Sequence, residues 1–152
     1  GVRRVMKLMV PTLISSSVLQ ISLLIDLWLA TSLIEGSVSG HDENYHLTYV
    51  DFPGGRFTLT KEALNIGHPV RLRIAARDVS LTLAPQHDTS ILNIFYTTID
   101  AIKPVNSAQV MVRLLAGGVP LLSRVTKKSA ALLDLQPGKQ VYAQIKSVAL
   151  LS

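Results

Sequence analysis

The sequence predicts a mainly β fold, closed or nearly closed into a small OB-like barrel with one short helix, and preceded by an N-terminal α-helix of transmembrane type. Two observations predict the barrel: short runs of β-type alternation recur after residue 40, and turn-forming residues separate them. The N-terminal helix is predicted by an apolar run within the first 40 residues. Barrel closure also removes exposed strand edges, which are a hazard for so apolar a set of strands.

The composition narrows the classes of function. The 152 residues suffice for one domain, or for a small domain with an appendage. They are 48% hydrophobic but only 5% aromatic, which predicts an aliphatic core. The absence of cysteine excludes disulfides, thiolate metal sites and cysteine nucleophiles. The net charge of +5 is spread along the chain without the basic stripe and interleaved aromatic residues typical of nucleic-acid binding, so nucleic acid is not an expected partner.

The N-terminal run has the length of a short membrane helix. Leu8–Ile25 is 18 residues without a charge, and Asp26 is the only charged residue between Leu8 and Ile34. Basic residues precede the run and acidic residues follow it, so the positive-inside rule places its far end outside the cell. Serine and glutamine side chains inside the run indicate a helix from a larger bundle. A buried helix of a globular domain remains the alternative.

Residues 41–88 are predicted to form the leading hairpins of the β region. The runs Tyr45–Phe52 and Arg56–Thr60 are joined by the turn Pro53-Gly54-Gly55, which is typical of a hairpin. Apolar and polar residues alternate in two further runs, Val70–Ile74 and Val79–Leu83. A predicted turn at residues 75–78 lies between them.

Residues 89–152 are predicted to form the core of the barrel. Three strands are expected at Ile94–Ile102, Gln109–Leu115 and Val119–Val125. A short helical run at residues 129–133 follows them, and the closing strand is expected from Val141 to Leu150.

The chain carries no recognisable catalytic motif. It lacks the Gly-x-x-x-x-Gly-Lys-Ser/Thr loop that cradles phosphates, and it lacks a Gly-x-Ser-x-Gly nucleophile elbow. We therefore expect neither an enzyme nor a cofactor. The four histidines show no metal-ligand spacing and are interpreted as solvated loop residues, so no metal site is predicted.

Two stretches resemble known families. About residues 1–39 resemble an internal helix of the lipid II flippases (MviN/MurJ family), through Arg3–Pro11, Gln20–Asp26, Ala30–Leu33 and Gly36–Ser39. A flippase needs many helices around a central cavity, so this helix alone cannot transport a lipid.

A second resemblance covers about residues 41–152 and is carried by His41–Leu47, Val70–Ile74, Ala76–Leu81, Thr89–Asn93 and Ala143–Val148. These segments resemble the C-terminal tail of the ATP-binding subunit of molybdate ABC importers. In that family the tail is a TOBE domain with a Mop-type oxyanion-binding unit. The resemblance implies a barrel that pairs with a second copy, molybdate or tungstate bound where copies meet, and the importer's membrane subunits as partners.

The resemblance also implies the binding residues. The family's serine-x-arginine-asparagine motif and its lysine-serine pair both have counterparts here, as do a threonine and a serine beside the short helix. The implied oxyanion-binding residues are Ser90, Asn93, Thr126, Ser129, Lys146 and Ser147. Leu92 departs from the pattern, because many oxyanion-binding members have arginine at this position.

These residue types suit a compact dianion, which cannot be buried without compensating donors. Hydroxyls, amides and a lysine supply such donors, and charge-assisted hydrogen bonds are the strong ones. Simpler roles remain open. Ser90 and Asn93 could cap a turn, and Lys146 could be an outward-facing residue on a strand.

The expected organisation is therefore a transmembrane-type helix over residues 1–39 and a TOBE/Mop-like domain over 41–152, with leading hairpins at 41–88 and a Mop core at 89–152. The expected function is regulatory binding of molybdate or tungstate for an importer ATPase whose ATP-binding domain is not in this chain. The alternatives are a fragment of a membrane lipid flippase with a passenger β domain, or a structural TOBE dimerisation domain that binds no oxyanion.

The two resemblances disagree about location. The helix predicts the inner membrane with an external β domain, whereas the TOBE resemblance places the β domain on the cytoplasmic side. This conflict motivates the hypothesis that the sequence joins fragments of two unrelated genes, with the junction at Ile34–Gly40.

Overall fold

The computed structural model describes residues 30–151, which form strands, one 3-10 helix and one α-helix. The strands are β1 (Thr31–Asp42), β2 (Leu47–Phe52), β3 (Gly55–Thr60), β4 (Pro69–Ala75), β5 (Val79–Thr82), β6 (Asn93–Pro104), β7 (Gln109–Ala116), β8 (Val119–Thr126), β9 (Gln140–Ile145) and β10 (Ala149–Leu151). The 3-10 helix is Ala76–Asp78, and the α-helix, α1, is Lys127–Leu132.

The strands build two five-stranded antiparallel sheets. Sheet 1 has the order β10-β4-β1-β2-β3, and sheet 2 has the order β5-β9-β6-β7-β8. The chain passes from sheet 1 to sheet 2 through the 3-10 helix, and it returns to sheet 1 after β9. The division at residues 88 and 89 therefore does not follow the sheets, since β5 lies in sheet 2 and β10 lies in sheet 1.

Sheet 2 curls so that its two edge strands meet. The buried Ser123 on β8 donates a hydrogen bond to the Val79 carbonyl at the start of β5, with an oxygen–oxygen distance of 2.6 Å. The predicted fold is confirmed in its coarse form, as a mainly β, OB-like half-barrel with one short helix.

The alternation of the sequence decides which side chains reach the core. Along β4, Val70, Leu72 and Ile74 are buried while the arginines between them are exposed. The core is largely aliphatic, as predicted, but Phe52, Phe57 and Phe95 form one aromatic cluster with ring centroids 4.6–5.3 Å apart. Full burial of such a side chain contributes roughly 1.5–3 kcal/mol.

The Pro53-Gly54 turn between β2 and β3 is confirmed as a hairpin connection, and it lies against the turn between β7 and β8. Gly117, in the second turn, has a φ of +57°, and a Cβ added there would lie 2.4 Å from the Pro53 carbonyl oxygen. Glycine is therefore required at Gly117, both for its backbone conformation and for this close approach.

β1 corrects the predicted end of the N-terminal helix. Residues 31–39, which the sequence assigned to that helix, belong to a strand that pairs with β4 from Thr31↔Ala75 to Ser37↔Pro69. Ile34 and Val38 point into the core, and β2 pairs with the other edge of the strand. The cross-strand hydrogen bonds outweigh the apolar continuity that suggested a helix. The predicted helix up to residue 29 lies outside the described residues.

The predicted location in the inner membrane is wrong. Among residues 30–151, no helix is long and apolar enough to cross a membrane. α1 has 6 residues, a length of about 9 Å against the roughly 30 Å of a bilayer's hydrocarbon core.

The predicted closing strand is two strands. β9 ends at Ile145, and β10 begins at Ala149 and pairs with β4 of sheet 1. Lys146 and Ser147 therefore lie in the connection between the sheets rather than inside a strand. The break follows from the change of sheet, because one straight strand cannot pair with β6 and β4 in different sheets.

Sheet 1 holds several polar contacts that the sequence did not predict. His41 lies in β1, not in a solvated loop, and its ring nitrogens lie 2.9 Å from Thr48 Oγ1 and 2.8 Å from the Leu64 carbonyl oxygen. Arg56 donates to Asp51 at 2.7 Å, and this hydrogen bond lowers the pKa of the Asp51 carboxyl.

Candidate functional site

The ladder between β6 and β9 brings two separated motifs together. Asn93 pairs with Ile145, so the residues just before β6 lie beside the residues just after β9. The Lys146 N–H donates to the Asp78 carbonyl at 2.9 Å, which keeps Lys146 in register with the start of β5. Four predicted binding residues thus lie at one end of sheet 2, and we name them the lysine cluster: Ser90, Asn93, Lys146 and Ser147.

Three side chains of the lysine cluster are available to a ligand. Ser90, Lys146 and Ser147 are exposed, and none of their side chains makes a hydrogen bond or ion pair within the described chain. Together they offer two hydroxyls and an ammonium group, which has three donors and no acceptor. This combination can bind an anion.

Asn93, the fourth member, is a structural link. It is 8% exposed, its Oδ1 accepts the Thr58 N–H at 2.7 Å, and its Nδ2 donates to the Thr58 carbonyl at 3.1 Å. The Asn93 side chain thus bonds to the backbone of β3 as a neighbouring strand would, and it links sheet 2 to sheet 1. One N–H of its amide is left over for any other role, since a primary amide has two.

Thr126 and Ser129, which we name the capping pair, begin α1. Thr126 Oγ1 accepts the Ser129 N–H at 3.0 Å and donates to Ser129 Oγ at 2.9 Å. This is the N-cap arrangement, in which a side chain satisfies an unpaired amide of the first helical turn. Thr126 pairs with Gln109 on β7. No hydrogen bond within residues 30–151 joins the capping pair to the lysine cluster.

Leu92 leaves the lysine cluster short of positive charge. Its side chain is 64% exposed, so neither packing nor a buried contact fixes it. The backbone carbonyl of Asp78 accepts the Lys146 N–H, but the Asp78 and Lys146 side chains form no ion pair within the described part of the chain. Lys146 is thus the cluster's single cation.

The sequence assigned no role to Gln144, although it lies two residues before Lys146. Gln144 is 7% exposed, and its Nε2 has no hydrogen-bond partner among the described residues. The available signal was a polar residue between the buried Ala143 and Ile145. Strand alternation alone would have placed this side chain on the solvent side, where it needs no partner.

Comparisons with known proteins agree with this architecture. The TOBE domain model matches residues 89–151. The molybdenum import ATP-binding protein ModC of Albidiferax ferrireducens is 47% identical over 122 residues, which are 80% of this chain and 33% of that protein. ModC 2 of Azotobacter vinelandii is 48% identical over 123 residues, with 80% and 34% covered. The chain thus spans about a third of the length of these curated relatives.

One solved structure is matched over nearly the whole of its own length. The cytoplasmic molybdate-binding protein ModG, crystallised with molybdate bound, superposes with a TM-score of 0.65 and 30% sequence identity, over 78% of this chain and 93% of that one.

The lipid II flippase MurJ model matches residues 1–60. The described part of that range forms β1, β2 and β3, which are strands of the domain shared with ModG.

Proposed function

Because the chain belongs to the same family as the molybdate-binding protein ModG, and because residues 89–151 match the TOBE domain model, we propose that it is a regulatory domain that binds molybdate or tungstate for a molybdate ABC importer. The observation that carries the proposal is the β6–β9 ladder. It places Lys146 and Ser147 beside the Thr89–Asn93 motif, although more than 50 residues separate them in sequence.

The chemistry of the lysine cluster supports an oxyanion rather than a cation. Lys146, Ser90 and Ser147 present donors, and a tetrahedral dianion offers four acceptor oxygens. Hydrogen bonds to charged groups contribute about 1.5–3 kcal/mol each, more than neutral ones. Without a guanidinium at position 92, affinity is expected to be lower than in members that have arginine there.

A complete site would draw on two copies of the chain. The TOBE resemblance implies an oxyanion bound where two copies meet. A homodimer in which one copy contributes its lysine cluster and the other its capping pair would complete the site. Within the capping pair, Ser129 Oγ accepts from Thr126 and keeps its own O–H free to donate.

The wider role follows from the curated relatives. Since they are ATP-binding import proteins of which this chain covers about a third, we infer that the domain works with an ATPase and the membrane subunits of an importer. There it would report molybdate to the transport machinery.

Titration of molybdate into the full chain by calorimetry, with sulfate as control, tests the function. We expect saturable binding that prefers molybdate, and Lys146→Ala should weaken it about tenfold to a hundredfold. Lys61→Ala is the matched control, because it removes the same charge from sheet 1, where Lys61 pairs with Glu43. Absence of heat and of thermal stabilisation from folded protein would contradict the proposal.

A second candidate is a structural TOBE domain that binds no oxyanion. The internal hydrogen bonds of Asn93 and of the capping pair favour it, since half of the six predicted residues already have structural partners. The same titration separates the two functions.

We also propose that the chain has two parts of different origin, with the boundary before Thr31 rather than within Ile34–Gly40. The start of β1 supports this position, as does the length of the matches to ModC. Sequencing one uninterrupted DNA molecule across the codons for residues 25–35 tests it. An intact reading frame in this order would argue against a joining error.

A further inference from the structure

The outward face of β9 holds a buried amide without a partner. Gln144 is 7% exposed, and its Nε2 exposes less than 1 Å² while making no hydrogen bond within residues 30–151. An unpaired buried donor destabilises the folded state, and in native proteins such groups usually meet a ligand, an ion or ordered water. This donor has no acceptor among the described residues, and a bound anion would supply one.

The strand register locates this amide beside the lysine cluster. Gln144 pairs with Ile94, and side chains two residues apart on a strand share a face. Lys146 follows two residues after Gln144, directly beyond the end of β9, where its N–H donates to the Asp78 carbonyl. Leu92 lies two residues before Ile94, directly ahead of the first residue of β6. Because Ile94 is the cross-strand partner of Gln144, Leu92 lies at the same end of the β6–β9 ladder as Gln144.

We propose that Gln144 is a further oxyanion-binding residue, whose Nε2 donates to an oxygen of the bound molybdate or tungstate beside Leu92. This inference rests on the proposed oxyanion function. The amide supplies one directed donor near the position where many family members carry a guanidinium, and Lys146 supplies the charge. The side-chain amide of Gln144 has no negative charge, so its N–H can donate to an anion without electrostatic repulsion.

Binding requires a change of rotamer, because Nε2 is shielded in the free chain. Gln144 has three rotatable side-chain bonds, and the neighbouring Leu92 and Lys146 side chains are exposed and unbound. The hydrogen bond gained offsets the cost of rearrangement.

The variant Gln144→Met tests the assignment in the full chain, since methionine keeps the length of the side chain and removes both polar atoms. We expect molybdate affinity to fall about tenfold, the effect of one charge-assisted hydrogen bond. The thermal midpoint without molybdate should stay equal or rise by about 2–4 °C, because an unpaired donor is removed. Gln140→Met is the control: it changes the same residue type on the same face of β9, where Gln140 accepts from the Tyr96 hydroxyl.

A measurement on the unmodified chain covers the case in which Gln144→Met does not fold. In a ¹⁵N–¹H spectrum, molybdate should shift the side-chain NH₂ signals of Gln144 and leave those of Gln140 in place. Unshifted Gln144 signals at saturating molybdate would overturn the inference.

The remaining outcomes separate this inference from the function it rests on. If Lys146→Ala loses molybdate and Gln144→Met binds it normally, the function stands and the role of Gln144 is wrong. If the unmodified chain binds no molybdate, both fail. If Gln144→Met weakens self-association by sedimentation while affinity is unchanged, the amide serves a contact between copies, and the inference is overturned.

Discussion

The lysine cluster and the capping pair contain similar residue types, yet the structure uses them differently. In the capping pair, Thr126 and Ser129 bond to each other and to the first turn of α1. In the lysine cluster, Ser90, Lys146 and Ser147 make no side-chain hydrogen bond within the described residues. Polar groups without internal partners are the ones that a ligand can bind without breaking the fold.

Asn93 shows that proximity to the cluster is not sufficient for such a role. It lies beside Lys146 in the ladder, but both ends of its amide bond to the peptide of Thr58. The comparison therefore predicts that variants in the capping pair and at Asn93 lower stability, whereas variants at Ser147 and Lys146 lower affinity.

The largest expected effect on stability is at Asn93. Asn93→Ala removes two hydrogen bonds and leaves the N–H and the carbonyl of Thr58 without partners, which should lower the free energy of unfolding by about 2–3 kcal/mol. Urea unfolding measures it. Asn44→Ala, at an exposed position in the β1–β2 turn, is the control and should change stability by less than about 0.5 kcal/mol. Equal effects of the two variants would contradict the linking role of Asn93.

The next effect sharpens the comparison by adding charge to the lysine cluster. Leu92→Arg should strengthen molybdate binding about tenfold, because a guanidinium supplies charge and directed donors at an exposed position. Leu83→Arg adds the same charge at another exposed leucine, beyond the far end of β5. Calorimetry compares them, and an equal gain in both variants would show a general charge effect instead of a site.

A smaller effect is expected in the capping pair. Thr126→Ala removes the N-cap of α1 and should cost about 1 kcal/mol of stability, while Thr126→Ser should restore most of it. Ser147→Ala, in the lysine cluster, should change stability by less than about 0.5 kcal/mol. A larger loss for Ser147→Ala than for Thr126→Ala, measured by urea unfolding, would reverse the comparison.

The smallest effect concerns pH and lies in sheet 1. The hydrogen bond from Arg56 holds the pKa of Asp51 below its ordinary value. The folded pKa is thus lower than the unfolded one, so the pair stabilises the protein above about pH 4 and this stability is lost as the pH falls through the folded pKa. Asp51→Asn should reduce the loss of unfolding free energy at acid pH. The reduction should be small, because the Asp51–Arg56 pair is solvent-exposed. Lys146→Ala should leave the dependence of stability on pH in this acid range unchanged.

Much of the β region could be predicted because its signals are local. The turn Pro53-Gly54-Gly55 fixes the β2–β3 hairpin, and alternation along Val70–Ile74 gives β4 and its buried face. The helix α1 lies within two residues of its predicted start. Such signals reside in the residues themselves, since turn chemistry and the two-residue period need no distant partner.

The misplaced elements depend on distant partners. β1 begins at Thr31, directly after an apolar run, and only its pairing with β4 and β2 distinguishes it from a continued helix. No proline or glycine marks the break between β9 and β10, where the chain changes sheets. For the site, the sequence could name residue types, but only the structure distinguishes the occupied amide of Asn93 from the unpaired amide of Gln144.

The most direct test of the account is the position of the bound anion. Crystals of the full chain grown with tungstate allow tungsten to be located by anomalous scattering. We expect a tungsten peak within about 4 Å of Lys146 Nζ, with hydroxyls of Ser90 or Ser147 at hydrogen-bonding distance. A tungsten peak elsewhere, or none in crystals soaked well above the solution Kd, would contradict the claim that the lysine cluster is the oxyanion site.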